Sequence, residues 1–110
     1  MQCIFCKIAE GKIPSKKIYD EGQVLGFADL HPQAKTHLLF IHKKHSPNVG
    51  EMEPAHIGEV YAAIGKHAQA CGLAASGYRV VVNTGAHAGQ TVFHTHFHVL
   101  GGEKLGHFGA

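Results

Sequence analysis

The stretch HTHFHVLGG, residues 94–102, contains three histidines at alternate positions. Alternate residues of a regular β-strand share one face and lie about 6.6 Å apart, so the three imidazoles are expected to point the same way. The residues that mark the opposite face as core are Phe97, Val99 and Leu100. The pattern predicts a half-buried strand whose histidine face is a functional, partly solvated surface.

Length and composition predict one globular domain, residues 1–110, with a formal net charge of only +2. This small charge argues against a nucleic-acid-binding surface. No run of about 18 apolar residues is present for a membrane span, and no secretory signal begins the chain. Three cysteines, an odd number, favour the reducing cytoplasm over a disulfide framework. The third, Cys71, ends an apolar helical pattern and is expected to be buried.

The order of apolar periods predicts an α+β fold with a mainly antiparallel sheet, one long helix and a short N-terminal helix. The long helix is predicted over residues 54–71, with Pro54 in its first turn and Gly72 just past its end. Its apolar stripe could serve either the core or a subunit interface, and comprises Ile57, Val60, Tyr61, Ile64, Ala68 and Cys71. The other predicted elements are a helical turn at 3–9 and strands at 17–19, 23–29, 37–42, 79–83 and 95–100.

A glycine-rich loop, TGAHAGQT at residues 84–91, precedes the histidine strand. Gly85 and Gly89 allow backbone N–H groups to approach an anion, and Gln90 and Thr91 add an amide and a hydroxyl. Phosphoryl transfer needs such donors, because its transition state spreads negative charge over the non-bridging oxygens. The eight carboxylates are scattered, so no catalytic metal is expected and a neutral imidazole nucleophile is favoured. An edge strand with exposed histidines and a His-x-His metal site are the alternatives.

Three segments make the sequence similar to the histidine-triad (HIT) family, whose signature is His-φ-His-φ-His-φ-φ with φ apolar. They are FADLHPQAKTHLLFIHKKH (27–45), GYRVVVNTG (77–85) and AGQTVFHTHFHVLGG (88–102). Within the family the chain resembles the Hint branch, the nucleoside phosphoramidate hydrolases. The resemblance implies a HIT-like fold. It also implies a homodimer in which the long helix and a strand from each subunit build one continuous sheet.

The resemblance further implies hydrolysis of purine nucleoside phosphoramidates and acyl nucleotides. His96 would attack the α-phosphorus, and water would then release the nucleoside monophosphate from a nucleotidyl-histidine intermediate. His98 would hold a phosphate oxygen, and His37 would orient His96. The purine nucleotide, such as AMP, GMP or a phosphoramidate conjugate, would contact a larger set of residues. This set comprises Asp29 at the ribose hydroxyls, Asn83 near the ribose or scissile bridge, Gly89, Gln90 and Thr91 at the phosphate, and Phe5, Ile8, Ile13, Phe27 and Leu30 around the base.

The N-terminal pair Cys3 and Cys6 has the spacing of zinc ligands, although two ligands alone are weak evidence. The resemblance to bacterial HIT proteins implies that His45 and His94 complete a structural zinc site. Ideal strand alternation instead places His94 with the catalytic histidines, unless it lies at the very start of the strand. In the alternative, the thiols are reduced and metal-free, and His94 supports the other two histidines of the triad.

Two other functions compete with the phosphoramidase hypothesis. A dinucleoside polyphosphate hydrolase of the same family would use the same attack on a different leaving group. A nucleotide-binding adaptor would bind without turnover, although a binding module has no need of a complete triad.

Overall fold

A five-stranded antiparallel sheet organises residues 3–107, which this computed structural model describes. The ends of the expected domain, residues 1–2 and 108–110, lie outside the described residues. The strands are β1 (Lys17–Glu21), β2 (Val24–Ala28), β3 (Thr36–His42), β4 (Tyr78–Val82) and β5 (His96–Gly101). They lie in the order β1-β2-β3-β5-β4, so the histidine strand is interior and β4 is an edge. The helices are α1 (Ile4–Ala9), α2 (Pro54–Cys71) and α3 (Leu73–Ser76), with short 3₁₀ turns at Val49–Glu51 and Ala86–Ala88.

The expected α+β fold is confirmed, and its long helix has the predicted bounds. Pro54 occupies the first turn of α2, and Gly72 ends it with φ of 88°. The helix buries one face against the sheet through Val60, Ala63, Ile64 and Ala68. These side chains share a core with Phe40 of β3 and with Phe97 and Val99 of β5. Each large apolar side chain buried in this way contributes about 1.5–3 kcal/mol.

Two members of the apolar stripe are not core residues. Tyr61 is 47% exposed, although its ring contacts Phe97 edge-on. Cys71 is exposed, so its expected burial is wrong. The chain turns at Gly72 immediately after Cys71, and Leu73 of α3 occupies a buried position instead.

The opposite face of the sheet is covered by the N-terminal helix α1. Phe5 and Ile8 of α1 pack with Phe27, Leu39 and Ile41 of β2 and β3. Because both faces are covered, six of the seven residues of β3 are buried, which explains its continuous apolar sequence. Among residues 3–107, no helix combines the length and the hydropathy of a membrane span.

Each of the five strands differs from its predicted bounds by one or two residues at one end or both. Asp20 and Glu21 are paired strand residues rather than turn residues, and the turn lies at residues 22–23, where Gly22 has φ of 57°. β5 begins at His96 rather than Thr95. Leu100 is half-buried and lies on the histidine face, because strand alternation opposes it to Phe97 and Val99.

Candidate active site and neighbouring metal centre

The central strand β5 carries His96 and His98 on one face, toward two surface cavities. His98 lies between Leu39 of β3 and Val81 of β4 in the sheet register. Phe97 and Val99 alternate with the histidines and are each 1% exposed. The core therefore fixes the strand from beneath, while the imidazoles remain half-buried on the outer face.

His96 is held in one tautomer by a backbone carbonyl. Its Nδ1 lies 2.8 Å from the carbonyl oxygen of His94. Since a carbonyl oxygen only accepts, Nδ1 carries the proton and Nε2 keeps a free lone pair. The Phe5 ring contacts the imidazole edge-on at a centroid distance of 5.0 Å. The arrangement leaves Nε2 of His96 available as a nucleophile or ligand.

His98 is held in the opposite tautomer by a short chain of hydrogen bonds. The backbone N–H of Gln33 donates to Nδ1 of His37 at 2.9 Å. Neutral His37 therefore carries its proton on Nε2 and donates it to Nδ1 of His98, also at 2.9 Å. The proton of His98 consequently lies on Nε2. Burial, and then the positive charges that His96 and His37 can carry, lower the pKa of His98 to about 4.

This chain corrects the expected partner of His37, which contacts His98 rather than His96. Burial lowers the pKa of His37, and the nearby Asp29 carboxylate opposes this shift from 3.4 Å. The role of Gln33 had no signal in the sequence, because its donor is a backbone N–H.

A cavity of about 400 Å³ opens in front of His96 and His98. Apolar side chains of α1 line it, and so do Asp29 and Leu30, of which Leu30 is 89% exposed. The structure brings nine of the predicted residues to this cavity: Phe5, Ile8, Ile13, Phe27, Asp29, Leu30, Thr91, His96 and His98. Leu39 and Val92 also line it and were not anticipated.

Asp29 is oriented at the end of β2 by its neighbours. One carboxylate oxygen accepts the N–H of His31 at 2.7 Å, and the other faces Nε2 of His37. An ionised carboxylate offers about four lone-pair sites, so acceptor capacity is left toward the cavity. This is the chemistry required to hold a pair of vicinal hydroxyls.

The glycine-rich loop contributes less to the cavity than expected. The N–H of Gly89 donates to the Ala86 carbonyl at 3.0 Å, so it is not free to bind an anion in this conformation. The buried Gln90 carboxamide donates to Pro47 and Val92 carbonyls and accepts from the N–H of Gly85, so it stabilises the loop itself. Of the three predicted phosphate-binding residues of the loop, Thr91 alone lines the cavity.

Asn83 lies apart from the nucleoside-sized cavity. It lines a second cavity of about 320 Å³ on the other side of His98, together with Gln33, His37 and Arg79. The expected contact of Asn83 with a ribose is therefore not supported by its position. The position of Asn83 is compatible with the other expectation, a contact near the scissile bridge of the substrate.

The expected zinc ligands converge at the start of the histidine strand. Nδ1 of His94 lies 3.3 Å from Sγ of Cys3, 3.4 Å from Sγ of Cys6 and 3.3 Å from Nδ1 of His45. Sγ of Cys6 lies 3.5 Å from Nδ1 of His45. Ligands at the usual zinc distances in a tetrahedron are separated by about 3.3–3.8 Å. These four distances fit a tetrahedral zinc ion, and all four ligand atoms lie within 4.8 Å of one another.

The tautomer of His94 supports the same interpretation. Its Nε2 donates to the carbonyl oxygen of His42 at 2.9 Å, which leaves the Nδ1 lone pair facing the thiols. Burial and the neighbouring Cys3 raise the pKa of the Cys6 thiol to about 11. A bound cation would stabilise the thiolates that this environment otherwise disfavours.

His94 does not join the other two histidines in either cavity, so its expected place on the shared face is wrong. The residue precedes β5, and the next residue, Thr95, is tied to Ser46 by its backbone N–H at 2.8 Å and by its hydroxyl. This anchoring interrupts the alternation and turns the imidazole toward the cysteines. The hydrogen bond between His94 and His96 is made by the carbonyl oxygen of His94.

Comparisons with known proteins agree with this architecture. The HIT domain family matches residues 10–105. A purine nucleoside phosphoramidase from Escherichia coli (strain K12) is 40% identical over 108 residues, covering 96% of this chain and 91% of that protein. Protein HitA from Neisseria gonorrhoeae is 39% identical over 102 residues, covering 90% and 94%.

Solved structures extend the agreement to the fold. The crystal structure of a HIT family hydrolase from Legionella pneumophila Philadelphia 1 superposes with a TM-score of 0.93 at 38% identity, covering 99% of this chain and all of that one. The expected HIT-like fold is thereby confirmed. By sequence and by structure, the chain belongs to the HIT domain family.

Proposed function

We propose that this protein is a nucleotide hydrolase that cleaves purine nucleoside phosphoramidates and acyl nucleotides, with His96 as the nucleophile. The observation that carries the proposal is the bond from Nδ1 of His96 to the His94 carbonyl, because it leaves the Nε2 lone pair free beside the cavity. The similarity to the phosphoramidase of Escherichia coli supports the substrate class.

In the proposed reaction, Nε2 of His96 forms a bond to the α-phosphorus while the P–N bond, or the P–O bond of an acyl nucleotide, breaks. The leaving nitrogen takes up a proton from water and departs as an amine, whereas an acyl group departs as a carboxylate and needs no proton. Nε2–H of His98 donates to a non-bridging phosphate oxygen, where negative charge develops. Water then attacks the phosphorus, the P–N bond to His96 breaks, and the nucleoside monophosphate is released.

The same cavity has the chemistry to bind the nucleoside. Its apolar side chains from α1 and β2 suit a flat purine ring. Asp29 retains acceptor capacity for the two ribose hydroxyls. The Thr91 hydroxyl borders the cavity and is available to the phosphate.

We further propose that Cys3, Cys6, His45 and His94 hold a structural zinc ion. The ion would tie the N-terminus to the start of β5 and would take no part in the chemical step. It would also fix the His94 carbonyl that orients His96. The described cysteines are free thiols, which suits a reducing compartment such as the cytoplasm.

We also propose a homodimer that pairs the β4 edges. β4 has one strand neighbour in the described sheet, and an unpaired edge is a template for a second chain. The exposed ring of Tyr61 on α2 would add apolar contact area. Light scattering coupled to gel filtration is expected to give twice the chain mass, and a monomer at micromolar concentration would contradict the proposal.

The test of function is turnover of a fluorogenic adenosine phosphoramidate by the wild type and by His96→Ala, with chelator-treated wild type alongside. We expect the substitution to lower turnover by on the order of 10³-fold or more, while AMP binding persists. Folded, chelated wild type should stay active if the metal is structural.

Three outcomes would redirect the proposal. Turnover by a correctly folded His96→Ala protein would exclude His96 as the nucleophile. Faster AMP release from a dinucleoside polyphosphate than from the phosphoramidate would favour the rival hydrolase. AMP binding without turnover of any substrate by the wild type would favour a binding protein.

A further inference from the structure

The second cavity, about 320 Å³, shares His98 with the proposed nucleoside cavity but has different walls. The first cavity is walled mainly by apolar side chains of α1 and β2. The second is lined by three polar residues, Gln33, Arg79 and Asn83, and also by Leu105 and Gly106. Its donors suit a small polar or anionic group, and the nucleoside assigned to the first cavity does not use them.

Arg79 is the single arginine of the chain. Its Nη2 donates to the carbonyl oxygen of Gly106 at 3.2 Å. Within residues 3–107, lysines such as Lys43 and Lys66 lie within 4.0 Å of carboxylates, but Arg79 has no such partner. A half-buried guanidinium without a counter-ion keeps a positive charge and several N–H donors available.

The strand register aligns Arg79 with the reacting centre. Arg79 pairs with Leu100, and Val81 pairs with His98. Arg79 therefore projects from the same face as His98, about 6.6 Å farther along the sheet. Along this face of the sheet, His96 comes first, His98 second, and Arg79 third, beside Leu100.

Phosphoryl transfer places the attacking and leaving atoms in line on opposite sides of phosphorus. A phosphate attacked by His96 and held at His98 would therefore release its leaving group away from His96. The second cavity begins at His98 and extends to Leu100 and Arg79. It lies where the leaving group would be.

We propose that the second cavity binds the leaving group, and that Arg79 selects leaving amines that carry a carboxylate near the scissile nitrogen. This inference rests on the proposed phosphoramidate hydrolysis. An N-linked amino acid has its carboxylate two bonds from that nitrogen. A guanidinium binds a carboxylate through two parallel charge-assisted hydrogen bonds. The carboxamide of Asn83 can donate to the same group, as can the carboxamide N–H of Gln33 that is not bonded to the His31 carbonyl. Cleavage of the P–N bond would return the amino acid to solution as the free amine.

The experiment compares two substrates that differ in one charge. They are the adenosine 5′-phosphoramidates of glycine, with a free carboxylate, and of glycinamide, which is neutral. The readout is the ratio of their kcat/KM values in the wild type, Arg79→Gln, Arg79→Lys and Lys104→Gln. Any difference in intrinsic reactivity between the two substrates is the same for every variant. It therefore cancels when the ratio of one variant is compared with that of another.

We expect Arg79→Gln to lower the glycine-to-glycinamide ratio by about 10- to 100-fold, the range that one charge-assisted pair supplies. Arg79→Lys should give an intermediate ratio, because lysine keeps the positive charge but cannot make two parallel hydrogen bonds to a carboxylate. Lys104→Gln removes the same charge from an exposed residue that lines neither cavity, so its ratio should equal that of the wild type.

An unchanged ratio in Arg79→Gln overturns the inference. If Arg79 served only to hold the C-terminal segment through Gly106, both substrates would slow equally and the ratio would not move. Thermal unfolding of each variant separates this effect from misfolding. The proposed function fails in a different way, because the wild type would then turn over neither substrate.

Discussion

Two groups of histidines lie side by side in this protein and differ in what their free nitrogens face. His96 and His98 face cavities open to solvent, and His98 is further held by His37. His45 and His94 face two thiols at the start of the same strand. A backbone carbonyl bonded to the other ring nitrogen selects the tautomer of His94 and of His96, and the Gln33 N–H sets that of His98 through His37. The partner of the second ring nitrogen, more than the histidine itself, therefore sets the chemistry available to each imidazole.

The largest expected effect comes from breaking the cysteine–histidine group alone. Cys6→Ser should abolish binding of about one zinc per chain and lower the free energy of unfolding by several kcal/mol, because a structural metal contributes its binding energy to the folded state. Elemental analysis and calorimetry measure the two effects.

Cys71→Ser is the matched control for this change, because Cys71 is a free, exposed thiol outside the group. It should leave the metal content and the unfolding temperature unchanged. A Cys6→Ser protein that retained zinc at wild-type stability would contradict the metal assignment.

A smaller effect is expected from disturbing the group that faces the cavities. His37→Ala removes the donor that holds Nδ1 of His98, and turnover should fall by about 10- to 100-fold, as when an orienting partner is lost. Burial and the charges of His96 and His37 lower the pKa of His98. The variant admits water, so this pKa should rise.

NMR titration of His98 and the acid limb of the pH–rate profile provide the check on His37→Ala. A purely structural loss would lower activity without moving either one. His37→Gln, which supplies a side-chain donor, should recover part of the rate. Wild-type turnover and an unshifted His98 titration in His37→Ala would remove His37 from the positioning role.

The smallest expected effect is a dependence of stability on pH. Burial lowers the pKa of His37, His42 and His98 on folding, and that of His98 falls from 6.5 to about 4. As pH falls below 6.5, the unfolded chain binds protons first, so stability is full above that value and is lost toward about 4.

Solvent screening reduces the contribution of His98 to about 1 kcal/mol, equivalent to roughly 4–8 °C in Tm. His98→Asn should therefore lose less stability than the wild type between pH 6.5 and 4.5. Parallel Tm curves for the two proteins would show that His98 does not contribute.

Much of the fold could be predicted because its signals are local. The helical period from Pro54 onward, with glycine just after it, defined α2 at the correct bounds. Phe97 and Val99 identified the core face of the histidine strand. Predictions failed where long-range contacts override the local pattern. Thr95 was expected in the strand, but it bonds to Ser46 and β5 begins at His96.

The candidate site also combines residues whose place the sequence predicted with residues whose contacts it did not. Most of the residues expected around the nucleoside meet in one cavity. The phosphate contacts predicted for Gly89 and Gln90 stay predictions, because in this conformation the Gly89 N–H bonds within the loop and the Gln90 carboxamide bonds to Gly85, Pro47 and Val92. Composition identifies a glycine-rich loop, but it does not show which N–H groups the loop uses internally.

By itself, the sequence determined the alternation of β5, the helix that packs beneath it, and membership of a family recognisable from the histidine motif. The free nitrogens of His94, His96 and His98 could be assigned only from the folded structure, since they depend on a backbone N–H at Gln33 and on carbonyls at His42 and His94. Folding also separated His94 from its neighbours and joined it to Cys3, 91 residues away. The physical reason is that periodicity assigns a side chain to a face, whereas a proton is placed by the hydrogen-bond partner that folding brings to it.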